Sequence, residues 1–231
     1  PKWLCTAVSA VTLLPLISPP FTSSIALTLS LGPNGILLDF FGLGNFNFYG
    51  FWGTFISETL TFFPVAFMTL STILARIDPN LEDAAYSLGA SSFKVFRTVT
   101  LPLAAPGIAN AFLLVFSCSL ADFATPQVLG GHSFPVLPTQ AYLVITGMYD
   151  FKGGAALSFM LLIPAIIVYS LQRWWVGKKS YVTVSGKAGG RSSVKGPGPL
   201  LSSVIVATVA VVIAFILYLY AIILTGSLVK V

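Results

Sequence analysis

Apolar runs long enough to cross a bilayer, separated by short polar stretches, set the pattern of this chain. A crossing helix needs about 20 mostly apolar residues. The first run, Trp3 to about Leu31, is interrupted by Pro15, Pro19 and Pro20. It predicts one span ending near the Pro pair, then a re-entrant or outer-surface segment. Gly32–Gly50 carries the turn residues and aromatics of a membrane interface and suits a short surface helix. Further spans are expected over Gly50–Leu74, with Glu58 and Pro64 inside it, and over Leu103–Ala121, Gly154–Trp175 and Leu200–Leu224. Between Asp122 and Lys152 lies a loop with several Pro and Gly; its TQAYLVITGMY stretch is too short to cross and suits a surface helix. The expected fold is an all-α integral membrane protein, a polytopic helical bundle of about five spans.

Val176–Pro199 breaks this pattern. It is rich in Gly, Ser and Lys, shows no apolar periodicity, and reads as a mobile linker. Three parts follow: residues 1–175 as a first membrane half with four spans, 176–199 as the linker, and 200–231 as the first span of a second half. The chain opens at Pro1 without methionine and closes soon after a span, so it reads as a fragment of something longer.

One polar stretch has its own periodicity. In Asp78–Pro102, DPNLEDAAYSLGASSFKVFRTVTLP, Asp78 suits an N-cap and Pro79 a first helical residue. Glu82 and Asp83 fall where the helix dipole favours negative charge. Leu81, Ala84, Ala85 and Leu88 share one helical face, and its two alanines would let another backbone approach closely. Gly89 is placed for a left-handed C-terminal cap. Ser91 or Ser92 can cap a second short helix carrying Phe93, Phe96 and Val99 on one side, with Pro102 closing the unit. Two short helices with a glycine elbow are predicted, held between two spans.

Composition agrees with a membrane protein: 56% of the 231 residues are hydrophobic and 8% charged, against roughly 25% in soluble domains. The net charge of +5 is not a nucleic-acid signal, because the cations gather on one side. Arg76, Lys94, Arg97, Arg173, Lys178, Lys179, Lys187, Arg191 and Lys195 lie in two segments separated by two spans, and Lys2 joins them. Only Lys152 and Lys230 fall opposite. The positive-inside rule therefore makes Asp78–Pro102 and the linker cytoplasmic.

The stretch Asp83-Ala84-Ala85, then Gly89, then Val99, Leu101 and Pro102 resembles the cytoplasmic EAA loop of binding-protein-dependent ABC importer permeases. That motif reads Glu-Ala-Ala, three residues, Gly, nine residues, Ile-x-Leu-Pro. The spacing is complete; Asp83 replaces glutamate, with Glu82 adjacent, and Val99 replaces isoleucine. The resemblance implies that Glu82, Asp83, Ala84, Ala85, Gly89, Val99, Leu101 and Pro102 couple the chain to cytoplasmic ATPase subunits, acting as a dimer. It also implies a periplasmic substrate-binding protein as partner and a multi-pass location in the bacterial inner membrane, among lipid. ATP and Mg would be used by the ATPase, with no cofactor bound by this chain.

Two further stretches narrow the family. ADFATPQVLGG (121–131) and RWWVGKKSYVTVSGK (173–187) resemble segments of the fused ferric-iron permeases, which carry two membrane halves in one polypeptide. The cargo implied is Fe(III). Polyamine, thiamine and phosphonate importers are alternatives within the class, and a membrane-embedded enzyme or sensor is the alternative outside it.

Residues able to do chemistry are few. Gly177-Lys178-Lys179-Ser180 looks like the end of a phosphate-binding loop, but Gln172 stands where its first glycine should be. His132 is the single histidine, in a Gly-Gly-His loop, and has no partners spaced for a metal. Cys5 and Cys118 fall near opposite membrane faces and are not expected to pair. No catalytic constellation stands out, so the chain reads as a transport subunit and not an enzyme. Glu58 lies within a span, where an unpaired carboxylate costs several kcal/mol, roughly. It reads either as a translocation-path group or as a structural carboxylate bonded to Ser57, Thr59 or a neighbouring helix. Asp122 reads either as the mouth of a cation path or as an interfacial charge before a loop.

Overall fold

The computed structural model describes residues 2–19, 21–33, 35–42, 47–131, 134–177 and 198–228. Side chains before Thr6 and after Trp174 in the fourth long helix lie outside the description, as do His132 and residues 178–197, which hold most of the linker. Among the described residues every regular element is helical. In order they are α1 (Lys2–Ile17), α2 (Thr22–Leu31), α3 (Ile36–Phe40), α4 (Phe51–Leu74), α5 (Pro79–Ser87) and α6 (Ser92–Val95). A π-helical turn at Phe96–Thr100 leads into α7 (Leu101–Ala121). Then come α8 (Ala124–Leu129), α9 (Leu137–Gly147), α10 (Phe151–Gly177) and α11 (Pro199–Leu228).

Four helical stretches are long and apolar enough to cross a membrane: Phe51–Leu74, Ser92–Ala121, Phe151–Trp174 and Pro199–Leu228. A fifth crossing exists if Thr6–Ile17 and Thr22–Phe40, which meet at 97°, count as one broken span. The break falls where Pro19 and Pro20 remove two backbone donors. Within Gly32–Gly50 a short helix does form, α3.

One expectation changes. Pro102 does not close the Asp78–Pro102 unit: its second helix continues through the π turn into α7, giving one stretch from Ser92 to Ala121. The Leu101 amide reaches back five residues to the Phe96 carbonyl. That wider turn takes up a proline that lacks a donor and would press its ring on the preceding turn. TQAYLVITGMY forms a short helix, as expected, and that helix also packs on its neighbour. As α9 it folds back against the start of α10, where a Cβ on Gly154 would stand 2.1 Å from Ile145 Cγ1. The Asp150 carboxylate accepts from the Gly153 amide at 2.9 Å and starts α10.

The bundle is built on the antiparallel pair α4 and α7. At one end a Cβ on Gly107 would fall 2.3 Å from Ile73 Cδ1, so only glycine permits this approach without a shift. On the other flank of α4, Ser24 of α2 shares a buried 3.0 Å hydrogen bond with Ser57. Such interhelical bonds in membranes contribute about 0.6 kcal/mol on average. Ala26, Leu27, Phe48, Leu129 and Leu219 form the core beside it. α11 joins through two hydroxyl pairs, Ser18 with Tyr220 at 2.7 Å and Ser30 with Tyr218 at 3.0 Å.

Candidate functional site

Two regions gather the residues singled out by the sequence. The first is the α5–α6 unit. The Asp78 carboxylate accepts from the Asn80 amide at 3.0 Å, and Pro79 is the first helical residue. Gly89 has φ +80°, and the Gly89 and Ala90 amides reach back to the Tyr86 and Ala85 carbonyls. This paired closure of a helix end requires a left-handed residue, which glycine supplies without steric cost. Ser91, not Ser92, caps α6, its hydroxyl accepting from the Lys94 amide.

The face read from periodicity points outwards. Leu81, Ala84 and Leu88 are exposed, Leu88 to 89%, while Ala85 is half-buried. Phe93 on α6 is 72% exposed, and Val95 anchors that helix in the protein. Glu82 and Asp83 are both half-buried, but they differ in partners. The Thr100 hydroxyl donates to Glu82 Oε1 at 2.5 Å. The acidic residue that ties α5 to the turn before α7 is thus the one preceding the aligned Asp83. Val99 is half-buried, and Leu101 and Pro102 are exposed at the start of α7.

The second region is a cavity of about 460 Å³ among α4, α7, α8, α9 and α10, and it brings Glu58 and Asp122 together. Its apolar walls include Phe51, Phe55, Phe116 and Phe134; its polar residues are Thr54, Glu58, Ser119 and Asp122. Thr54 and Glu58 sit one turn apart on α4, and Ser119 and Asp122 one turn apart at the end of α7, so each pair shares a face.

Glu58 is half-buried and accepts a hydrogen bond from the Ser119 hydroxyl. Its partner is on a neighbouring helix, because Ser57 bonds to Ser24 and the Thr59 hydroxyl to the Phe55 carbonyl. Asp122, at the end of α7, is only 8% exposed. Its Oδ1 accepts from the Ala124 and Thr125 amides, where the start of α8 offers unpaired donors. Asp122 Oδ2 and the Thr54 hydroxyl, both buried, have no hydrogen-bond partner among the described residues. Cys118 is a free, half-buried thiol; His132, the Cys5 side chain and Lys178 to Ser180 lie outside the described residues.

Residues 1–181 match the family described as binding-protein-dependent transport system inner membrane component. The chain belongs to that family. Within it, the chain is 43% identical over 182 residues to the ferric transport system permease protein FbpB of Actinobacillus pleuropneumoniae, covering 76% of this chain and 26% of that protein. It is 42% identical to the putative ferric transport system permease protein FbpB 1 of Haemophilus influenzae, covering 76% and 29%. The molybdenum transport system permease protein ModB of Haemophilus influenzae is 38% identical over 177 residues, 72% of this chain and 75% of that protein. The chain thus spans under a third of the ferric permeases it matches. As a family member it is a multi-pass inner-membrane protein with an all-helical fold.

Thr100 and Ser119, which carry hydrogen bonds, and Thr54, which lines the cavity, were not singled out from the sequence. Thr100 stands inside the family motif, between Val99 and Leu101. Ser119 and Thr54 could have been found by helical spacing, three residues before Asp122 and four before Glu58.

Proposed function

We propose that the chain is the first membrane half of an ATP-driven importer, carrying ferric iron delivered by a periplasmic binding protein. The observation that carries this reading is the α5–α6 unit. It presents an outward apolar face of Leu81, Ala84 and Leu88 and is tied through Glu82 and Thr100 to the helix entering the membrane. A soluble ATPase pressing on that face would move α7 with it. ATP and Mg belong to the ATPase in this scheme. The cation distribution supports placing the unit in the cytoplasm. That the family match ends at residue 181 supports treating α11 as the opening span of a second half. The greater identity to ferric permeases supports iron as cargo.

The test is uptake of labelled iron by the full-length protein reconstituted with its ATPase and binding protein. Uptake should require both partners and ATP. Competition by spermidine or thiamine, but not by ferric chelates, would replace iron with the other cargo.

A further inference from the structure

We propose that Glu58, Asp122 and Thr54 form a transit site for a positively charged cargo, with the Ser119 hydroxyl as the partner that the cargo displaces. This rests on the importer reading and specifies what its cavity selects.

The polar residues lining the cavity offer only oxygen atoms, two of them carboxylates. Oxygen donors without sulfur or imidazole suit hard cations and ammonium groups. Asp122 and Thr54 are 8% and 4% exposed, and each has an oxygen with no partner. A buried carboxylate oxygen without a partner is costly, and a cation or a cation's hydration water removes that cost. Oxyanions such as molybdate meet the opposite situation, since two carboxylates in an apolar-walled space repel them. The apolar walls strengthen both effects by keeping the effective dielectric low.

Among the described residues no three His, Cys, Asp or Glu side chains gather as a metal site. Two carboxylates and one hydroxyl would hold a cation without retaining it, as passage requires. Glu58 also has a partner ready for the unloaded state, the Ser119 hydroxyl on the facing helix. Exchange between Ser119 and cargo would let the carboxylate alternate between two satisfied conditions.

The experiment compares Glu58→Gln with Glu58→Asp in the full-length reconstituted transporter, measuring uptake of iron, spermidine and molybdate, and co-purification of the ATPase. Glutamine keeps the shape and the acceptor for Ser119 but loses the charge; aspartate keeps the charge and loses reach. A transit site predicts that Glu58→Gln cuts cation uptake about ten-fold, the equivalent of 1.4 kcal/mol, and falls below Glu58→Asp. A structural carboxylate predicts the reverse order, and that result overturns the proposal. Asp122→Asn, which preserves the acceptor for the α8 amides, should also lower uptake with the ATPase still bound; wild-type uptake in both Asp122→Asn and Glu58→Gln overturns it. Thr59→Val, on the outer face of α4, is the control expected to behave as wild type.

The wild-type cargo separates this inference from the function proposed above. Spermidine uptake without iron uptake, with Glu58→Gln still below Glu58→Asp, supports the site and removes iron. Iron uptake unaffected by both Glu58→Gln and Asp122→Asn removes the site and keeps iron. Molybdate uptake removes both.

Discussion

Glu82 and Thr100 lie 18 residues apart and share a 2.5 Å hydrogen bond that fixes α5 against the turn entering α7. A bond of this kind to a charged acceptor contributes about 1 kcal/mol at a half-buried position. Thr100→Val should leave the protein in the membrane but lower iron uptake per ATP hydrolysed, while Thr100→Ser retains it. Equal transport stoichiometry in Thr100→Val and wild type would show that α5 transmits motion by another route.

Gly89 is an independent test of the same unit. No atom lies within 4 Å of a Cβ built there, so a substitution meets backbone strain and not a clash. Alanine at φ +80° costs about 1 kcal/mol, and β-branched valine more. Gly89→Val is expected to uncouple hydrolysis from transport or to release the ATPase, with Gly89→Asn milder. Co-purification and binding-protein-stimulated hydrolysis check it; wild-type values for both would remove the coupling assignment.

Leu88 tests the proposed docking face directly. It is 89% exposed, so Leu88→Asp should not disturb the fold. It should weaken ATPase co-purification, because an unpaired charge would be buried on docking. Ala85→Asp should act in the same direction, with some loss of α5 itself, since Ala85 is half-buried and its carbonyl closes the helix.

These caps and faces were legible because they are local. Asp78, Gly89 and Ser91 each act within a few residues, and a helical repeat shows which side chains share a face. Pro102 misled for an instructive reason. A proline ordinarily ends a helix pattern, but the π turn at Phe96–Thr100 absorbs it, and nothing in the local spacing announces that turn. The cavity was legible only in part. Glu58 and Asp122 each stood out as carboxylates at or within a span, yet their meeting depends on how α4 packs on α7. Likewise Glu58 could be matched with a neighbouring helix in principle, but Ser119 is 61 residues away and looks like any other serine in an apolar run.

Gly107 offers a packing test that is independent of cargo. A Cβ there would meet Ile73 Cδ1, Cγ2 and Cβ at 2.3, 2.5 and 3.0 Å, so Gly107→Ala should separate α4 from α7 and cost about 1–3 kcal/mol. Shortening the opposing side chain should relieve it. The double variant Gly107→Ala with Ile73→Ala is therefore expected to recover thermal stability in detergent relative to Gly107→Ala alone. Additive losses would mean that the contact does not set the helix spacing.

Topology can be checked at exposed positions on the two sides assigned by charge. In a background with Cys5 and Cys118 replaced by serine, Ser91→Cys should react only with reagents admitted to the cytoplasm. Tyr149→Cys, exposed in the turn between α9 and α10, should react only from outside. Labelling of both from one side would overturn the order of spans.

The unbroken helical stretch from Ser92 to Ala121 has a mechanical meaning. Under the function proposed above it would act as a rocker bearing on the Gly107–Ile73 contact, where α7 comes close to α4. At 1.5 Å per residue, the arm towards Ser92 is roughly 22 Å and the arm towards Ser119 roughly 18 Å. With arms so nearly equal, an ångström of travel imposed beside Phe93 arrives as almost an ångström at Ser119, in the opposite sense. A displacement on that scale would weaken its hydrogen bond to Glu58. Under the function proposed above, one ATPase stroke would then both move the wall of the cavity and loosen the hold of Ser119 on its carboxylate.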